Sequence, residues 1–387
     1  MNTTIITDAE GFKRIQEDWE RLERIDLNTS YYSTFQFNYS WWETFGGDAR
    51  RELFIICCYE DNKLVGIAPL MIRRSGSRLL ECDTLCFIGK GDYFTFLVDP
   101  ERDSKLKIMK AMFRVIDEHA AKWDKVELTH LAQDTQLLYY LLRHDQYNEH
   151  VKYLTACPVI QMLEYGTFEQ FTTTSEYRKL KKTRDKFRKE VGYTFRAFVG
   201  NANEEVYERV ATIHRQQQQF MQTQKGRTER QSLFENRQNE DFLKQMFSRN
   251  KEVIVFLLED EAGEVIIYSI NYLHNGTLYD WNAGYAPKYS YFHSLSNVLM
   301  LETLQYVFDQ KLGDQIDFGA GSYAWKFKWT RHFKVNYSFK MWNMSKHRVK
   351  FYRLFSKMRG LWASVIYGAS GLPVSSQHIM EVQEIIF

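Results

Sequence analysis

A strand pair closed by a short polar turn occurs twice in this chain, at an offset of 200 positions. Leu53 to Glu60 and Leu64 to Ile72 flank Asp61-Asn62-Lys63. Val253 to Glu259 and Glu264 to Leu273 flank Asp260-Glu261-Ala262-Gly263, so that Leu53 corresponds to Val253 and Val65 to Val265. Turn residues between aliphatic and aromatic runs are hairpin signals. A long internal repeat constrains the fold more than local propensity does, because both copies must continue alike. They do. Each hairpin leads through further strand-like sequence into an amphipathic helix and a short strand: Ser104 to Trp123 then Lys125 to Leu128, and His293 to Leu312 then Gln315 to Phe318. Leu295, Val298, Leu299, Leu301 and Leu304 carry the helical period. Helical segments precede both hairpins, at Asp8 to Leu22, Asn38 to Phe45, Asn203 to Phe220 and Ser232 to Phe247.

Each copy therefore reads helix, helix, strand, strand, strand, helix, strand, helix, strand. The expectation is an α/β (α+β) protein of two tandem units, each a mixed central sheet with helices on both faces. Two unrelated α/β domains would give a similar pattern. At 387 residues the chain has room for two domains, placed at 1–165 and 166–345 with a join near Gly166, followed by a basic segment over 346–387.

Fifty-one basic and 49 acidic side chains leave a charge of +2, so a nucleic acid or an anionic membrane could be met only by a local patch. Two clusters qualify. From Ser175 to Lys189 basic residues surround a stripe of Tyr177, Leu180, Phe187 and Val191; this is either a solvated connecting helix or an anion-facing one near a substrate cleft. From Lys346 to Arg359 cations alternate with aromatic and aliphatic residues, as in a helix packed on the second unit or one lying peripherally on an anionic membrane. The five cysteines are odd in number and lack a C-x-x-C pair, so neither a disulfide framework nor a metal site is expected; Cys82 and Cys86 read as buried thiols and the cytoplasm as the compartment. No leader pattern opens the chain and no apolar run approaches the roughly 20 residues of a membrane span.

Two stretches carry chemistry. Leu278 to Tyr285 is a strand ending in Gly284-Tyr285, followed by a loop through Lys288 to His293-Ser294 and then a helix. Backbone N–H groups at a helix start suit a diphosphate, although the glycine-rich spacing of a nucleotide loop is missing. Later comes Asp317-Phe318-Gly319-Ala320-Gly321-Ser322-Tyr323-Ala324-Trp325-Lys326. A carboxylate ending a strand, glycines permitting close backbone approach and an aromatic-basic helix start fit an acyl-transfer pocket.

This order of motifs resembles the GNAT-fold acyltransferases. Within them it resembles the tandem CelD-like or BcsL-like group of cellulose and exopolysaccharide biosynthesis, related to the Fem peptidyltransferases. The resemblance covers roughly Asp8 to Asn343. Here His293 or Ser294 stands where the loop usually has a glycine, and Trp325 where tyrosine is common. The resemblance implies transfer of an acyl group from acetyl-CoA or another acyl-CoA to an amine or hydroxyl of a sugar or glycan, without metal. The donor site would comprise Gly284, Tyr285, Lys288, His293 and Ser294, with Lys288 a phosphate contact or a solvated loop lysine. Lys326 would stabilise the oxyanion, or its stem would cover Trp325 and Trp329. Asp317 and His214 compete as base, against roles as turn cap and packing residue, with Asp280 a further candidate and Tyr323 in place of the missing phenol. In the first unit Glu127 stands at the place of Asp317, followed by Thr129-His130-Leu131-Ala132. Gly89-Lys90-Gly91-Asp92-Tyr93 resembles an element of the tandem group, with Asp92 and Tyr93 reaching an acceptor cleft or serving as ordinary turn residues. Two alternatives stand beside this reading: Fem-like aminoacyl transfer from charged tRNA, with the basic helix on phosphates, and a catalytically degenerate scaffold of a polysaccharide synthase.

Overall fold

The computed structural model describes residues 1–76, 81–102, 104–200, 204–351 and 353. The first half contributes β1 (Asn2–Ile6), α1 (Ala9–Arg14), α2 (Gln16–Ile25), α3 (Phe35–Phe45), β2 (Arg51–Leu53), β3 (Ile55–Glu60), β4 (Lys63–Ala68), β5 (Leu70–Ser75), β6 (Cys82–Phe87), β7 (Leu97–Val98), α4 (Lys105–Glu118), β8 (Lys125–Ala132), α5 (Gln136–Arg143) and β9 (Val151–Gln161). The second contributes α6 (Phe168–Phe171), α7 (Ser175–Val191), β10 (Thr194–Val199), α8 (Glu204–Lys225), α9 (Arg237–Arg249), β11 (Val253–Glu259), β12 (Val265–His274), β13 (Thr277–Tyr285), α10 (Leu295–Gln310), β14 (Gln315–Asp317), α11 (Ala324–Phe327) and β15 (Phe333–Trp342).

Side-chain caps set several helix starts. Asn236 accepts from the amides of Gln238 and Asn239, so α9 begins at Arg237 rather than at Ser232. Thr34 caps α3 and Thr174 caps α7 in the same way, and Gly192 at φ 69° ends α7.

Both expected hairpins form. In the first, Asp61 and Asn62 have φ of 50° and 61°, the backbone of a two-residue turn. This hairpin also changes sheets. β3 and β4 belong to a four-stranded sheet ordered β1-β3-β4-β7, while β2 and β5 pair in the large sheet; the transition falls at Phe54 and Pro69, where the Phe54 amide donates to the Leu70 carbonyl at 3.0 Å. Proline lacks a donor and suits a strand break.

The large sheet has eleven strands, β10-β11-β12-β13-β14-β9-β15-β8-β6-β5-β2. It is built by reciprocal exchange. In each half a parallel pair is joined by a crossover helix, β13 and β14 through α10, β6 and β8 through α4. The last strand of each half then pairs antiparallel with the other half: β9 lies against β14 (Val159 opposite Asp317) and β15 against β8 (Phe339 opposite Leu128), and the two exchanged strands pair with each other. Phe339 of β15 is accordingly buried in the first half's core with Phe54, Val65, Met112, Ile116 and Leu128. A second core, with Phe187, Phe256, Val298, Leu301, Leu304 and Ile316, lies under α7 and α10.

The start of the basic C-terminal segment is tied to the first half. Lys346 Nζ donates to the Trp123 carbonyl at 2.7 Å and to Asp124 at 3.2 Å, and Arg348 pairs with Asp83 at 2.9 Å and Asp124 at 2.7 Å. These two cations are therefore committed to protein carboxylates rather than to a lipid surface; residues from 354 onward lie outside the described residues. Among the described residues no helix is long and apolar enough to cross a membrane.

Candidate functional site

β13 and β14 pair only over Thr277–Tyr279 and Gln315–Asp317. Beyond that point β13 continues to Tyr285, while the chain after Asp317 turns toward β9: the Phe318 amide donates to the Pro158 carbonyl and that of Gly321 to the Ala156 carbonyl. The sheet thus opens into a wedge, and from Asp280 to Tyr285 this edge of β13 has no strand partner among the described residues. A bulge sits at its apex. Asn271 is opposite Asp280 and Ile270 opposite Asn282, leaving Trp281 extra, and such an insertion bends the strand and re-aims its side chains.

Four segments meet at the wedge. Asp317, fully buried, accepts at Oδ1 from the Tyr93 hydroxyl at 2.7 Å and the Gly319 amide at 2.8 Å. Its Oδ2 has no hydrogen-bond partner, and Lys334 Nζ stands 3.9 Å away. Burial pushes the carboxyl up to about 6, with Lys334 opposing. Asp280, half-buried, is also pushed up to about 6 by burial, against the pull of Lys326. Lys326 is buried, and its ammonium donates to the carbonyls of Gly319 at 3.0 Å and Ala320 at 2.8 Å. Burial lowers its pKa while Asp92, Asp280 and Asp317 hold it up. An ammonium has three donors, so one N–H remains for these carboxylates or for a ligand.

Gly319 makes this approach possible. It has φ +68°, and a Cβ there would collide with Oδ2 of Asp92. The Asp92 loop is held from β15, where Asn336 Nδ2 donates to the Asp92 carbonyl at 2.6 Å. Cys157 of β9 lies beneath; its thiol bonds with Tyr93 and burial pushes it up to about 12, so it is no nucleophile at neutral pH.

The structure thus gathers Asp92, Tyr93, Asp317 and Lys326. Tyr323, half-exposed, stands just ahead of α11 with its ring 5.5 Å from Lys326 Nζ. His214 is placed elsewhere. It is buried on α8, bonded through Nδ1 to Ser232 Oγ at 2.8 Å and packed on Phe234, and burial lowers its pKa to about 4; its charged neighbours are Glu235, Arg215 and Arg230 rather than Asp92, Asp280 or Asp317. Lys288 is not a free phosphate contact: it pairs with Asp260 at 2.8 Å, and Tyr289 donates to the same carboxylate. Gly284 accommodates protein, since a Cβ there would stand 2.7 Å from Gln217 Oε1 and 2.8 Å from the Tyr268 ring. In the following loop the amides of Ala286, Tyr289, Ser290, Phe292 and Leu295 already have backbone acceptors; Tyr285 ends β13, His293 is exposed, and the Ser294 side chain makes no cap. The sequence reading did not single out Lys334 and Asn336, which the structure brings to this site. For both, a strand carrying buried-type and charged residues in alternation was the available signal.

One consequence concerns stability. Asp317→Asn keeps an acceptor for Tyr93 and Gly319 but removes a charge whose folded pKa is raised above the unfolded value near 3.8. A raised carboxyl favours the protonated fold, so ionisation costs stability as pH climbs from about 4 through about 6, by up to about 3 kcal/mol at pH 7. Urea unfolding should find the variant more stable than the parent at pH 7, with the gap closing toward pH 4.

Residues 175–327 match the family model of the acetyltransferase (GNAT) domain, a span from α7 to α11 that contains the wedge, Asp280, Asp317 and Lys326. No curated protein matches the chain. Among solved structures, FemX is similar at 11% identity and TM-score 0.59, over 92% of this chain and 99% of that one. The C-terminal domain of a putative lysylphosphatidylglycerol synthetase from Agrobacterium fabrum is similar at 9% identity and TM-score 0.53, over 87% and 94%. L-PGS from Bacillus licheniformis follows at 13% and 0.50, over 78% and 90%. At such identities the likeness is one of fold. The match to the GNAT acetyltransferase domain thus falls on residues 175–327, in a chain whose two halves share one sheet.

Proposed function

We propose that the chain transfers an acyl group from a coenzyme A thioester to an amine or hydroxyl of a sugar or glycan, in the manner of the tandem group associated with exopolysaccharide biosynthesis. The observation that carries this is the edge of β13 from Asp280 to Tyr285, without a strand partner among the described residues and opening beside a half-buried carboxyl and a buried ammonium. Exposed strand-edge amides and carbonyls seek partners. The two amides of a pantetheine arm can supply them as an added strand does.

In this reading Asp280, ionised above about 6, takes the proton from the acceptor N–H or O–H as that atom attacks the thioester carbonyl. The remaining Lys326 N–H faces the developing oxyanion. The tetrahedral intermediate collapses, the C–S bond breaks, and the thiolate leaves to take up a proton. Asp317, bonded at Oδ1 and shut away from solvent, positions the Tyr93 and Gly319 segments. The unit at 1–165 shapes the acceptor side through Asp92 and Tyr93, the unit at 166–345 holds the donor, and the work is cytoplasmic, where such thioesters are found.

A second reading, aminoacyl transfer from tRNA, is favoured by the exposed cations of α7 together with the fold shared with FemX. One assay separates them. Acetyl-CoA mixed with amino sugars and oligosaccharides should release free thiol only when an acceptor is present. No thiol release and no thermal shift at millimolar acetyl-CoA would remove the thioester donor and leave the tRNA donor or an inactive scaffold.

A further inference from the structure

The loop that carries Lys326 has a second property, which the transfer chemistry does not use. Between Gly321 and Phe333 four aromatic side chains stand in solvent: Tyr323 is 50% exposed, Trp325 51%, Phe327 36% and Phe333 53%. They form two pairs. Phe327 and Phe333 have ring centroids 6.3 Å apart, and the rings of Tyr323 and Trp325 lie 5.5 and 5.8 Å from the same ammonium of Lys326. Exposed aromatic surface gathered in one loop marks a contact site. Its rim is basic: Arg331 is exposed and Lys328 half-buried in the same loop. Tyr177 ties α7 to this loop, its hydroxyl donating to the Trp329 carbonyl at 2.8 Å, and α7 itself carries the exposed cations Arg178, Lys179 and Lys182. Glu164, beside the loop, is paired with His332 at 3.0 Å.

Tryptophan, tyrosine and phenylalanine ringed by lysine and arginine are the composition of a surface that inserts rings among lipid headgroups while cations meet anionic phosphate. We propose that the face formed by residues 321–333 and the first turns of α7 docks on an anionic bilayer, setting the wedge at the membrane surface so that a membrane-held acceptor reaches Asp280. Charge complementarity selects this occupant over a neutral glycan, which would have no use for the cationic rim. The contact does not depend on which donor the enzyme uses.

The full chain should sediment with vesicles of phosphatidylglycerol and phosphatidylcholine at a ratio of about three to seven. It should do so at least about tenfold less with phosphatidylcholine alone, and less as salt rises. Trp325→Ser combined with Phe333→Ser should lower the partition coefficient by about tenfold or more with an unchanged far-ultraviolet spectrum. Arg331→Glu, on the exposed rim, should lower it severalfold and provides a test if the double variant does not fold. Equal sedimentation of parent and both variants would overturn the proposal by assigning the contact to residues beyond 353. Absence of sedimentation, with Trp fluorescence answering instead to a soluble oligosaccharide, would overturn it in favour of a glycan platform.

Discussion

Asp280→Asn should lower kcat by about 10²- to 10⁴-fold, the range expected when a positioned general base is lost. Of the three carboxyls near Lys326, Asp317 has one oxygen occupied by Tyr93 and Gly319 and is fully buried, and Asp92 is pressed against Gly319. Asp280 is half-buried at the apex of the wedge, beside the bulge at Trp281. Its pKa of about 6 makes it largely ionised at neutral pH yet more basic than a solvated carboxylate. In the parent, kcat/KM should therefore rise with pH through about 6 as the base deprotonates, and in the variant that limb should vanish. Because the substitution removes a charge burial disfavours, urea unfolding should find Asp280→Asn at least as stable as the parent at pH 7. Lost activity then reports on chemistry rather than on folding.

Lys326→Met should be costly in two independent ways. It leaves the carbonyls of Gly319 and Ala320 without their donor and three carboxylates without their shared cation. Removing one partner of a buried charge cluster costs about 3–5 kcal/mol, which urea unfolding at pH 7 should show. Lys326 also pulls the Asp280 pKa down, so without it the acidic limb of the pH–rate profile should move to higher pH. A merely structural lysine would reduce stability and leave the limb in place.

Much of this arrangement was legible in the sequence. The repeated hairpin, the crossover helices and the run from Asp317 to Lys326 are local patterns and recur in the observed order, while β1 and β10, which lie ahead of the two hairpins, were not read as strands. The exchange of β9 and β15 was not legible, because which strand a strand pairs with is settled by packing across the chain, here by Phe339 entering the first half's core. Asp280 was hard to rank for a related reason. An aspartate beside a tryptophan in a strand looks like one residue of an alternating pair, and only the bulge and the return of Lys326 through α11 give it a charged, half-buried setting. Lys288 and His214 show the converse. A turn lysine looks available for phosphate until Asp260 of the neighbouring hairpin turn takes it, and a helical histidine looks like a base until Ser232 and Phe234 enclose it.

The opened edge of β13 can be tested where it lies. Amide hydrogen exchange of the full chain, with and without saturating acetyl-CoA, should show protection concentrated in residues 280–286 and 318–322. Unchanged exchange across those segments while the ligand demonstrably binds, with protection appearing instead along α8 or in the first half, would contradict the assignment of the wedge as the donor site.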